Sequence, residues 1–160
     1  MLQDAGCFEA ADAEAAAEVV SAVLGPGRVE GGERWANLTL EIDPDRYEED
    51  NVLFSVVAAR GPSAPLATIT AATGGKRPQA AAVGIQHRAG TKALEQLHAA
   101  GVRQPEIWRL VQDHPRRGLV LAVPADAPIV EVTTWLLEAM AVLNRAPVLT
   151  GVTYEVYATD

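Results

Sequence analysis

One cysteine, Cys7, is present in the 160 residues. It excludes an intramolecular disulfide and leaves no second thiolate with which to start a metal site. Aromatic side chains are scarce, at 5% of the chain. A core must therefore be assembled mainly from Val, Leu, Ile and Ala. No uncharged apolar run approaches the ~18 residues that a membrane helix needs, and residues 1–6 carry neither the positive start nor the apolar stretch of a secretory leader. These absences predict a cytoplasmic chain that crosses no membrane.

What the chain does have in quantity is negative charge. The formal net charge is −8, which disfavours nonspecific attraction to nucleic acid or to an anionic membrane surface. Its distribution is uneven. Residues 1–75 hold 13 acids and 4 Lys or Arg, a net of −9, and residues 118–160 hold 5 acids and 1 Arg, a net of −4. Residues 76–117 reverse the sign, with 8 Lys or Arg against 3 acids, a net of +5, and they include all three histidines. This middle segment is either a solvated stretch of mixed surface or a local anion-binding face.

A chain of this length can bury about 70% of its unfolded surface, enough for one core without staples. Residues 9–24 are rich in Ala and Glu, end in an apolar half and stop at Gly25-Pro26-Gly27, a helix with a defined end. Ala36, Leu38, Leu40 and Ile42 then alternate with polar neighbours, the period of a strand with one face on a core. Residues 52–59, apolar on both faces, read as a second and central strand, residues 65–72 as a third and residues 80–86 as a fourth. Thr91 is the expected N-cap of a short helix in which Leu94 and Leu97 share a face and which Gly101 closes.

Residues 107–111 and 119–123 read as two strands joined by the turn Asp113-His114-Pro115-Arg116-Arg117-Gly118. From Asp126 to Asn144, the residues Ile129, Val132, Thr133, Leu136, Leu137, Met140 and Leu143 recur at spacings of three and four, one face of a helix. Alternation of Val148, Thr150, Val152, Tyr154 and Val156 gives a last, docked strand. Most strands follow one another through turns too short for a crossover helix. The fold class predicted is a single α+β domain over residues 1–160, with a largely antiparallel sheet and helices packed on one face.

In element order, helix, three strands, helix, two strands, helix, and in its acidic charge, the chain resembles the type III secretion chaperone-like fold. That resemblance implies a small protein that binds partner polypeptides and dimerises. It rests on no matched motif, so it transfers no functional residue.

Sites of chemistry are few. The acidic loop 43–50 lacks the spacing and the glycine of an EF-hand and reads as a solvated turn. His87, His98 and His114 show no zinc-binding spacing. In Thr73-Gly74-Gly75-Lys76-Arg77, Thr70 stands where a phosphate-cradling loop needs glycine, and Arg77 where it needs Ser or Thr. No Gly-x-Gly-x-x-Gly and no Gly-x-Ser-x-Gly occurs, so no metal, cofactor or catalytic residue is expected.

The remaining candidates form two groups. His87 and Arg88 precede the Thr91 helix, whose free N–H groups could meet an anion clamped by His114, Arg116 and Arg117. The alternative is that Asp113 caps its own turn and the arginines are solvated. Trp135 lies off the stripe of Leu136 and Leu137, which marks it as a candidate exposed interface residue rather than a core one. The function expected is a non-catalytic protein-binding module, chaperone-like or adaptor, acting as a homodimer with a polypeptide partner. The alternative is a small enzyme or sensor that binds an anionic metabolite through residues 76–117.

Overall fold

The computed structural model describes residues 1–25, 32–46, 61–74 and 79–159. The strand expected at 52–59 and most of the 73–78 loop fall outside the described residues. Helix α1 (Ala13–Leu24) starts where the Asp12 carboxylate accepts the Ala15 N–H at 3.0 Å, so one orphan donor of the first turn is satisfied. Its Ala16, Val19, Val20 and Val23 are buried at helical spacing. The helix expected from residue 9 is shorter at its start, because Leu2–Glu9 forms strand β1 instead. Cys7 thus belongs to a strand, opposite Thr153 and exposed. Only Phe8 of β1 is buried. With a single inward residue, the segment carries no period of two to betray it.

Strands β2 (Arg34–Ile42), β3 (Leu66–Thr70) and β4 (Ala82–Gln86) follow, then helix α2 (Ala93–Ala99), the hairpin of β5 (Arg109–His114) and β6 (Gly118–Ala122), helix α3 (Ile129–Leu143) and strand β7 (Val148–Ala158). The seven described strands form one sheet in the order β1-β7-β2-β3-β4-β6-β5, and every pairing is antiparallel. The three described helices pack against it, an α+β fold. β7 is docked between β1 and β2, while β1 and β5 are the edges of the sheet among the described strands.

Register explains the core. Leu38 faces Ala67, Ala67 faces Ile85 and Ile85 faces Leu119, so one apolar row crosses four strands on the helical side. Val152 and Val156 of β7 join the same buried cluster, as do Val20 and Val23 of α1. The α3 stripe enters it through Val132, Thr133, Leu136, Met140 and Leu143, while Ile129 and Leu137 are only partly buried. Among the described residues no helix is long and apolar enough to cross a membrane.

Candidate functional site

The β5–β6 hairpin is held tightly. Gly118 adopts φ +80°, a left-handed conformation that suits glycine, and a Cβ there would run into the Ile85 carbonyl oxygen. His114 closes the turn, since its Nδ1 accepts the Arg116 N–H at 3.1 Å. Gln112 adds a strap: its Nε2 donates to the carbonyls of Arg117 at 2.7 Å and Gly118 at 3.3 Å. Arg116 and Arg117 are left exposed on a turn with a fixed backbone.

Asp113 does not cap its own turn. Its carboxylate reaches α2, where Oδ1 accepts the Ala93 N–H at 3.1 Å and Oδ2 the Leu94 N–H at 3.0 Å. Thr91 is therefore not the N-cap that its residue type suggests. The capping position falls to Lys92 at φ 61°, which supplies no side-chain bond, and a carboxylate from β5 takes its place. The donors expected to meet an external anion are thus already engaged by one from the same chain.

His87 follows β4 and is 1% exposed. Its Nδ1 accepts the Ala89 N–H at 3.2 Å, which assigns the ring proton to Nε2, and that buried group has no hydrogen-bond partner. Burial pushes the imidazole below its ordinary pKa; the charge of Asp113 opposes this and that of Arg145 adds to it. Such a ring is part of the core and not an open clamp, a correction to its expected place in a ligand site. Arg88 Nε donates to the Gly61 carbonyl at 3.2 Å and so braces the approach to β3. The basic candidates therefore divide three ways: His87 into the core, Arg88 onto Gly61, and His114, Arg116 and Arg117 into the hairpin turn.

Trp135 is 4% exposed, which corrects its reading as a surface residue. α3 touches α1, α2 and β3, and Trp135 also packs edge-on against Trp108 at 5.5 Å between ring centroids. With neighbours on several sides, the buried arc of the helix is wider than the stripe in the sequence. Neither indole N–H of the pair has a partner, although both are buried.

Beside this pair lies a groove of about 610 Å³ between the loop before β5 and the first half of α3, lined among others by Arg103, Pro105, Val130, Glu131, Trp135 and Glu138. Large apolar side chains are also exposed, one of them, Val130, in the groove lining. Ile107 is 70%, Leu110 46%, Val111 55% and Val130 69% exposed. Three of these four sit on or just before β5, whose outer edge pairs with no described strand. A slip in register between Leu110 and Gln112 marks Val111 as a bulge. Four arginines lie near the strand in sequence: Arg103 in the loop before it, Arg109 at its start, and Arg116 and Arg117 after it. Among the described residues none of their guanidinium groups has a hydrogen bond or an ion pair.

Sequence reasoning identified the strand but not this surface. Residues 107–111 are apolar at nearly every position, a pattern equally suited to a central strand, and only strand order separates the two cases. Among the described residues no cluster of three His, Cys, Asp or Glu side chains could hold a metal ion. No protein-family model, curated protein or solved structure matches this chain.

Proposed function

We propose that this chain is a polypeptide-binding module that receives an extended segment of its partner along the open edge of β5. The observation that carries the reading is the exposure of Ile107, Leu110 and Val111 on and beside a sheet edge that pairs with no described strand. An open edge presents unsatisfied N–H and C=O groups, and proteins usually blunt such edges with charge, a bulge or a covering element. Here a bulge is present, yet apolar side chains stay uncovered. An incoming strand would bury them and pair the backbone groups at once, the way peptides add to exposed sheet edges elsewhere.

The order from α1 to α3 is also the one on which the resemblance to the type III secretion chaperone-like fold rests, and members of that fold bind polypeptides. This supports an adaptor or chaperone-like role, with a second copy of the chain as one partner to be tested. The experiment is selection of linear peptides from a random library, followed by amide hydrogen exchange of the protein with and without a selected peptide. Slowed exchange should centre on residues 107–114. Enriched peptides that protect another surface, or no enrichment, would refute the reading.

A further inference from the structure

Resting on that reading, we infer that the segment β5 receives is acidic at its ends and apolar at its centre. The polarity of the surface dictates this pattern. The apolar residues Leu110 and Val111 lie within β5; Arg109 is its first residue, with Arg103 in the loop before it, and Arg116 and Arg117 stand in the turn beyond its other end, none of these guanidinium groups having a hydrogen bond or ion pair among the described residues. A strand of six residues is about 20 Å long. A partner segment of roughly eight residues therefore reaches both ends.

The two ends are not equivalent. Glu106 precedes β5 on the exposed surface, and Glu131 and Glu138 line the α3 wall of the groove, so Arg103 and Arg109 act in a mixed field. Arg116 and Arg117 have no acidic residue beside them in the turn 114–118, and the Asp113 carboxylate at the end of β5 is directed to the α2 N–H groups. The partner's acidic residues count most where it passes Arg116 and Arg117. Their backbone is fixed by the bonds from Arg116 to His114 and from Gln112 to Arg117, so little ordering of the turn is required on binding.

Arginines also bind phosphodiesters, but a nucleic acid fits this edge less well. Its phosphates only accept hydrogen bonds and cannot satisfy the outward carbonyls of β5, and they do not cover Leu110 and Val111. The body of the chain carries a net −8, which repels a long polyanion beyond the immediate contact.

The test uses the full chain and three synthetic peptides of about eight residues with the same apolar centre. Their end residues are Glu and Asp, Ser and Thr, or Lys. Fluorescence anisotropy at about 50 mM salt should rank acidic above neutral above basic, with about a tenfold step between acidic and neutral that shrinks on raising salt to about 500 mM. The exposed-turn variant Arg116→Glu/Arg117→Glu should reverse the order, and its circular dichroism should match the wild type.

Equal binding of acidic and neutral peptides, with exchange protection on β5, would overturn the charge inference and leave the edge reading standing. No binding of any peptide and no protection of β5 would overturn both. Displacement of the acidic peptide by a single-stranded oligonucleotide would assign the arginines to nucleic acid and overturn the inference. Concentration-dependent self-association that blocks peptide binding would make a second copy the occupant, with the same result.

Discussion

Replacing Asp113 should loosen two elements that are far apart in sequence, and the size of the effect follows from its bonds. The half-buried carboxylate accepts two N–H groups of α2, at 3.1 and 3.0 Å. Hydrogen bonds to a charged group contribute about 1.5–3 kcal/mol each when buried, and loss of an N-cap side chain costs about 0.5–2 kcal/mol. Water can reach a half-exposed site and replace part of what is lost, so Asp113→Ala should cost about 2 kcal/mol. Asp113→Asn retains one acceptor oxygen and should cost about half as much. Thr91→Ala removes the residue that local sequence marks as the cap but that makes no capping bond, and should change stability by less than about 0.5 kcal/mol. Urea unfolding gives the measurement: with a slope of about 2 kcal/mol/M, the Asp113→Ala midpoint should fall by about 1 M. Amide exchange at residues 93 and 94 should accelerate in the same variant. A Thr91→Ala loss equal to or larger than that of Asp113→Ala would refute the assignment of the cap.

Leu136 is 1% exposed on α3, so Leu136→Ala should cost about 2–5 kcal/mol, whereas the partly buried Leu137 should cost about half of that or less, read as thermal midpoints. An unchanged midpoint for Leu136→Ala would remove α3 from the core. His87 should make the fold acid-sensitive. Its pKa is depressed by burial, so as pH falls below about 6.5 the unfolded chain takes up a proton that the folded one refuses, and stability declines until the folded pKa is reached. This contribution is at most about 1.4 kcal/mol per pH unit. His87→Gln lacks it, so the stability difference between wild type and variant should change with pH over this range, and parallel stability curves for the two between pH 5 and 7 would contradict it.

Much of the architecture was legible in local pattern. The spacing of Val132, Leu136, Met140 and Leu143 identified α3, and the alternation through Leu38 and Leu40 identified β2, because these periods record which side of an element faces a core. Pro115 and Gly118 marked the hairpin through backbone geometry alone. Where the pattern was thin, reading failed: β1 turns a single apolar side chain inward, and its stabilisation comes from pairing with β7 at the other end of the chain. Trp135 was misplaced for a related reason, since the width of a buried stripe depends on how many neighbours enclose the helix.

By itself, then, the sequence determined most of the described element types and the antiparallel character of the sheet, because short connections and hydrophobic periods are local. Tertiary structure alone decided that β5 is an edge strand, which exposes Ile107, Leu110 and Val111 that a central position would have buried. It also decided that Asp113, 20 residues beyond Ala93, caps α2 in place of Thr91. And it sorted the basic segment, drawing His87 into the core while leaving Arg116 and Arg117 in solvent. Strand order and cross-element hydrogen bonds join residues distant along the chain, so no local period records them.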